Sequence, residues 1–383
     1  MCNMKIVYYS GLPFADCDFP LIKEYQKSNK VYYFIPLLCN RLNGALISIK
    51  KQICKAGILK ALKYKEFDQY SDYIDLSDTF VLNRTKKGMT LSTFWIYIKL
   101  LFMLIKINPD VIHITHPLWG PEMLLYLFCR KMIITVHDPF LHSGETGGTK
   151  ELQRKIAFRI VKKILLLNST QKKDFVEHYK INANKVYVSK LGVYDCLNAI
   201  QISAKTYNYP YILFFGRISK YKGIEFLCEA MQLVHKKLPQ LKCIIAGGGK
   251  LYFDYSKYAN SDFLFLQNKY IDTENLVDLL SKSLFSVCPY TDATQSGVIY
   301  SCFALKKPVI ASNVGALSDA VINGVTGLLV EPKNSKALAE AIVKLASDCK
   351  MREDMATNIK NLFFVGDNSW NAIAQNNLRI YKS

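Results

Sequence analysis

The chain has 383 residues, half of them apolar, with 50 Lys and Arg against 31 Asp and Glu, a net charge of +19. That length accommodates two α/β domains with separate cores, and the composition excludes a disordered chain. Residues 1–200 hold 29 basic and 16 acidic side chains, or +13, against +6 in the remainder. The skew implies an anionic partner for the first half.

Lys5–Tyr9 is a short apolar run ending in Ser10-Gly11-Leu12-Pro13, a strand entering a turn. Helical spacing over Phe19–Gln26 precedes a second strand-like run at Val31–Pro36. Leu42, Ala45, Leu46, Ile49, Ile53 and Ala56 recur at intervals of three and four, which predicts an amphipathic helix with Lys50, Lys51 and Lys55 on its outer side. Lys60, Lys63 and Lys65 continue the basic stretch. Further strands are expected at Thr79–Leu82, Val111–Ile114, Ile133–Val136, Ile164–Leu167 and Val186–Ser189, alternating with helices. This alternation predicts a mostly parallel sheet covered on both faces. The longest apolar stretch, Phe94–Ile105, is interrupted by Lys99. It is shorter than the ~20 residues of a membrane span and reads as a buried or surface-lying helix. The eleven cysteines form no C-x-x-C pair and no Cys/His cluster, as expected for reduced, packed thiols in a cytosolic compartment. The opening residues lack the order of a secretory signal.

The pattern restarts after residues 195–209, an expected interdomain linker. Tyr211–Phe215 is a strand, Gly223–Leu238 a helix and Cys243–Ala246 a strand, and later strands fall at Phe263–Gln267, Leu284–Cys288, Val309–Ala311 and Leu328–Val330. Ser369–Tyr381 carries Trp370, Ile373, Ala374, Leu378 and Tyr381 at helical spacing and is expected to pack back towards the first domain. The expected organisation is a domain over 1–197, a second over 206–365 and a terminal helix over 366–383.

Four elements of the second half follow strand ends, where open α/β sheets bind ligands. In Phe215-Gly216-Arg217-Ile218-Ser219-Lys220-Tyr221-Lys222-Gly223, Arg217 offers a planar fork and Lys222 a point charge for phosphate. Together they favour negative charge developing on a departing diphosphate. Gly247-Gly248-Gly249 and Gly315 supply backbone able to approach an anion closely. Thr294-Gln295-Ser296-Gly297 opens a helix around Val298–Leu305, whose free N–H groups face outward. Each alone has a bland reading as a solvated loop or a turn; their order and spacing carry the signal.

FFGRISKYKG (215 region), AGGG (246–249), YIDTENLVDLL (270–280), ATQSGVIYSCFALKKPVIASNVGALSDAVINGVTGLLV (293–330) and the closing SWNAIAQ resemble the family 4 retaining glycosyltransferases of the GT-B fold. VHD (136–138), LLNSTQKKDF (166–175) and KVYVSKLGV (185–193) fit the same family. The resemblance implies an α/β fold of two Rossmann-like domains facing a central cleft. It implies a hexosyltransferase that moves sugar from a nucleotide-diphosphate donor to a glycan or lipid-linked acceptor, as in bacterial-type surface polysaccharide synthesis. Arg217 and Lys222 then match the diphosphate-binding pair, and His137 a first-domain histidine beside the donor sugar. Gly11 matches the first-domain loop near donor and acceptor. Gly247 and Gly248 join the donor site, with Tyr270 and Ile271 in the wall against the base. Asp292, Thr294, Gln295, Ser296 and Gly297 match the loop facing phosphate and sugar. No cofactor or metal is implied, because Arg and Lys neutralise the diphosphate. One departure stands out. Ala293 and Ser301 occupy the positions of two family glutamates, and the ATQSGVI wording resembles a variant branch in which Asp292 or Gln295 takes over hydrogen bonds.

His113 and His116 form an H-x-x-H pair with no evident third ligand, so a structural or positioning role is expected. The basic stretch Lys50–Lys65, with Phe94, Trp95 and Tyr97 as apolar anchors, is expected to dock a cytoplasmic protein peripherally on an anionic membrane. Each basic side chain adds on the order of 1 kcal/mol there. A dinucleotide-dependent oxidoreductase is disfavoured because SGLPFAD replaces G-x-G-x-x-G after the first strand. No nucleic-acid-binding motif appears, so no nucleic-acid partner is expected. A non-catalytic, transferase-like binding subunit is the alternative that Ala293 and Ser301 leave open.

Overall fold

The computed structural model describes residues 3–44, 46–140, 148–167, 169–293, 296–315 and 317–383. They fall into two compact units, Met1–Gly192 with Trp370–Ser383, and Val193–Ser369.

The first unit is built on an eight-stranded sheet. Its strands are β1 (Lys5–Tyr9), β2 (Lys30–Leu38), β3 (Gly57–Lys60), β4 (Thr79–Arg84), β5 (Val111–Ile114), β6 (Met132–Val136), β7 (Lys163–Leu166) and β8 (Val186–Val188). Their order is β3-β4-β2-β1-β5-β6-β7-β8, parallel except for the antiparallel edge strand β3. The helices are α1 (Ala15–Gln26), α2 (Leu91–Ile107), α3 (Gly148–Ile160) and α4 (Lys172–Tyr179). Runs such as VIHI and MIITV are apolar almost throughout because both faces of the sheet are covered. Thr90 caps α2 by accepting from the Thr93 amide, and Asn108 ends it in the left-handed conformation.

The helix expected over residues 42–56 does not form among the described residues. The chain there makes isolated bridges, including Asn43 with Ser48. The carbonyls of Ile53 and Lys55 accept from the Asn83 side chain at 2.7 and 2.8 Å, so that buried amide takes acceptors a helical ladder would need. Of the residues in that spacing, Leu46 and Ile49 are buried, three apart, which mimics a helical interval over a short window.

The second unit carries a six-stranded, all-parallel sheet. Its strands are β9 (Tyr211–Phe215), β10 (Lys242–Ala246), β11 (Leu264–Gln267), β12 (Ser286–Cys288), β13 (Val309–Ser312) and β14 (Gly327–Val330), in the order β11-β10-β9-β12-β13-β14. This is the doubly wound order of a Rossmann sheet. Its helices are α5 (Ile224–Lys237), α6 (Thr273–Lys282), α7 (Gly297–Ala304), α8 (Leu317–Ala320), α9 (Ser335–Ser347) and α10 (Cys349–Lys360).

The last helix, α11 (Trp370–Lys382), belongs to the first unit. It is fastened by polar contacts as well as apolar ones. The Tyr381 hydroxyl lies 2.8 Å from that of Tyr25 and also bonds His113 Nδ1. Ser189 Oγ donates to Asn377 Oδ1 at 2.7 Å, and Asn377 donates to the Tyr25 hydroxyl at 3.2 Å. The Trp370 ring covers Gly192 so closely that a Cβ there would stand 2.5 Å from it. Trp370→Ala is therefore expected to destabilise the first unit by about 3–5 kcal/mol, read from the urea midpoint at unchanged slope.

Candidate functional site

In the second unit the chain winds from β9 through β10 to β11, then crosses to β12 on the other flank of β9. The loops after β9 and β12 leave the sheet in opposite senses. A doubly wound sheet binds ligands at this switch point, beyond the carboxyl ends of its strands.

Arg217 and Lys222 both lie on the loop after β9. Arg217 is exposed and engages no carboxylate among the described residues. Lys222 is buried, with its ammonium 3.7 Å from the centroid of the Tyr290 ring and 5.1 Å from that of Tyr221. Burial pulls its pKa down to about 8; Cys288 opposes the shift and the Arg217 charge reinforces it. An ammonium facing aromatic rings rather than a carboxylate keeps its charge available for an incoming anion.

Two glycines make this geometry possible. Gly223 has φ +62°, and a Cβ there would lie 2.0 Å from the Pro289 carbonyl. Gly247 has φ +150°, and a Cβ would lie 2.0 Å from the Gly216 carbonyl. The loops after β9, β10 and β12 thus touch backbone to backbone. Hydrogen bonds fix the register: Ile218 N donates to Gly248 O at 3.1 Å, Gly247 N to Gln267 O at 3.1 Å and Thr291 N to Tyr221 O at 2.8 Å.

α7 opens beside these loops, and a Cβ added to Gly216 would be 3.7 Å from Val298. The Ser296 side chain does not cap α7; its hydroxyl lies 3.3 Å from that of Tyr290. The helix therefore begins without a side-chain cap, a setting suited to an anion. Ser301 Oγ turns back to the Gly297 carbonyl at 3.0 Å. Asp292 is exposed, and Ala293 lies against Gly315 after β13. Tyr270 is exposed and Ile271 half-buried, just before the Asp272 cap of α6. Thr294 and Gln295 lie outside the described residues.

His137 and Gly11 belong to the first unit. Gly11 starts a short turn with an ordinary φ of −85°. His137 follows β6, and its ring stacks on Phe14 with centroids 4.3 Å apart. Burial lowers its pKa to about 4, and its Nε2 has no hydrogen-bond partner among the described residues. His137 lines a small pocket with Tyr8, Asp18, Thr135, Ser189 and Trp370. His113 is spent structurally between Tyr381 and Thr135, the latter at 2.7 Å, and His116 faces Glu122 at 3.5 Å.

Two residues of these sites escape sequence reasoning. Tyr290 sits in a Pro-Tyr pair after a strand and carries no motif of its own, yet its ring positions Lys222. Asp18 looks like an ordinary first-turn helix acid. It is buried, accepts from Tyr33 at 3.0 Å through Oδ2, and its Oδ1 has no described partner. Burial raises its pKa to about 8, against the lowering by nearby hydroxyls.

Two α/β units with Rossmann-like sheets define a protein of the GT-B class, and comparison with solved structures agrees. The Anabaena Alr3699/HepE structure in complex with UDP superposes with a TM-score of 0.63, covering 99% of this chain and 100% of that one at 16% identity. Residues 198–362 match the family model described as "Glycosyl transferases group 1", and residues 64–194 that described as "Glycosyltransferase Family 4". The chain is thus similar to group 1 and family 4 glycosyltransferases over residues of both units. Among curated relatives, the alpha-D-kanosaminyltransferase of Streptomyces kanamyceticus is 27% identical over 152 residues, 39% of this chain and 39% of the relative. The capsular polysaccharide biosynthesis glycosyltransferase CapM of Staphylococcus aureus is 27% identical over 226 residues, 54% of this chain and 58% of the relative. The chain thus spans less than two thirds of either relative.

Lys222 generates a pH test with two opposite signs. Its pKa is lower folded than unfolded, so the unfolded chain binds more protons in the window between, and this group favours folding increasingly as pH rises above about 8. Anion binding needs the ammonium and should weaken over the same rise. Titration calorimetry with inorganic pyrophosphate is expected to show affinity falling above about pH 8 in the wild type, and a flatter profile in Lys222→Arg, whose guanidinium stays charged.

Proposed function

We propose that the chain is a retaining glycosyltransferase that moves a hexosyl group from a nucleotide-diphosphate donor to a glycan or lipid-linked acceptor, in bacterial-type surface polysaccharide synthesis. The observation that carries this reading is the Arg217–Lys222 loop at the sheet switch point, with one cation exposed and the other held against Tyr290. HepE in complex with UDP supports a uridine donor, and CapM supports an acceptor on a surface polysaccharide.

In this reading the bond from the anomeric carbon to the diphosphate oxygen breaks while the acceptor oxygen attacks the same face. The acceptor proton passes to the departing diphosphate. Arg217 and Lys222 stabilise the charge that collects there, and the α7 amides add to that field. Neutral His137 hydrogen-bonds the donor sugar. Ser301 is occupied within α7, and Asp292 or Gln295 takes over hydrogen bonds of the two family glutamates. No metal is needed, because the two cations balance the diphosphate. The protein works at the cytoplasmic face of a membrane.

A non-catalytic donor-binding subunit is the second reading, favoured by Ala293 and Ser301. The two readings share donor binding and differ in turnover.

A thermal-shift screen should show a larger rise in melting temperature with UDP and its sugars than with GDP. In transfer assays, Arg217→Ala and Lys222→Ala should each lower kcat by roughly 10²–10³-fold with the fold intact. Unchanged rates in both variants would remove the mechanism, and binding without turnover in the wild type would favour the second reading.

A further inference from the structure

α2 is apolar around most of its circumference, interrupted on the outside only by a stripe of Ser92, Lys99 and Lys106. Ile96, Tyr97, Leu100 and Leu104 are buried against the first unit's sheet. Leu91, Phe94, Trp95, Phe102 and Ile105 remain at the surface, Leu91 at 74% and Phe102 at 66% exposure. A surface helix normally turns a polar face to water, and one that is apolar all round is normally buried all round. The packed neighbour of α2, the short-turn helix Gly120–Lys131, also leaves Met123 and Leu127 outside. Trp119 is exposed just before it, and Met89 lies against Gly120. Adjoining apolar surface of this kind marks an interaction site.

Charge decides what covers it. Residues 85–109 contain Lys86, Lys87, Lys99 and Lys106 and no acid. All four lysines are exposed, and none has an ion-pair partner among the described residues. The flanking acids are already engaged: Asp78 pairs with Lys30 at 2.5 Å and Lys60 at 3.5 Å. Asp110 accepts from the Lys5 amide at 2.7 Å. Glu122 is buried, accepting from Tyr97 at 3.0 Å and Tyr9 at 3.1 Å and facing Arg84 at 3.9 Å. A second copy of the chain on this face would set lysine against lysine. An anionic bilayer instead offers acyl chains for the aromatic residues and headgroups for the lysines. No helix among the described residues is long and apolar enough to cross a membrane, so α2 would lie in the plane of the surface.

We propose that the outer face of α2, with Trp119, Met123 and Leu127 beside it, is a docking surface for anionic phospholipid. This goes beyond the donor chemistry above and moves the expected docking surface. The Lys50–Lys65 stretch holds edge strand β3 and a short 3-10 turn at Ala61–Lys63 rather than the expected amphipathic helix, and Tyr97 is a buried partner of Glu122 rather than an anchor.

The test is flotation of the full chain with phosphatidylcholine vesicles containing about 30% phosphatidylglycerol, against pure phosphatidylcholine, at low and high salt. The wild type should bind the anionic vesicles, with weaker binding at high salt. Trp95→Asp/Phe102→Asp and Lys86→Glu/Lys87→Glu should each weaken binding at least tenfold, with melting temperature and UDP-induced shift like those of the wild type. Equal binding by all three proteins, or no preference for anionic vesicles, would overturn the proposal. So would a lipid-free dimer abolished by Phe102→Asp, which assigns the face to a second copy. The UDP-induced shift reads donor binding independently, so either proposal can fail alone.

Discussion

A positive charge held in a largely dry place, without a carboxylate to answer it, is the constraint around which the second unit is arranged. Removing an ammonium from water is costly, and proteins usually offset the cost with a counter-ion. Here the Tyr290 ring stands in that position, and the depressed pKa of Lys222 records how incompletely it compensates. A site left with unspent positive potential is prepared for an anion that brings its own charge. The close approach of Gly223 to Pro289 and of Gly247 to Gly216 holds the loops where that potential has a defined position.

The first unit handles buried polarity differently. His113, Tyr381, Tyr25, Asn377 and Ser189 form a linked set that ties α11 to the sheet, and their hydrogen bonds lie inside the unit. Beside it, Asp18 and His137 each keep an atom without a described partner. Burial pushes the carboxyl up and the imidazole down, so both favour their uncharged forms near neutral pH. These groups can exchange hydrogen bonds with a hydroxylated ligand without carrying a net charge into the pocket.

The parallel strands were legible because burial on both faces writes an uninterrupted apolar run, as in YILFF of β9 and MIITV of β6. The placement of Arg217 and Lys222 on one loop was legible because glycine and basic residues follow such a run directly. Residues 42–56 misled because two buried side chains in a bridged loop, Leu46 and Ile49, stand at a helical interval, while the decisive partner, Asn83, is distant in sequence. Tyr97 misled in the opposite sense. It reads as a surface anchor beside Trp95, but its hydroxyl reaches a buried glutamate.

Sequence alone determined that the chain builds two parallel-sheet halves and that Arg217 and Lys222 fall on one loop after a strand. Those properties follow from local hydrophobic period and from residues adjacent in the chain. Only the tertiary structure decided that Lys222 lies against Tyr290, that Asp18 is desolvated, and that one apolar side of α2 stays outside. Each of these depends on which distant segment covers a residue, and burial by a remote partner leaves no mark in local spacing.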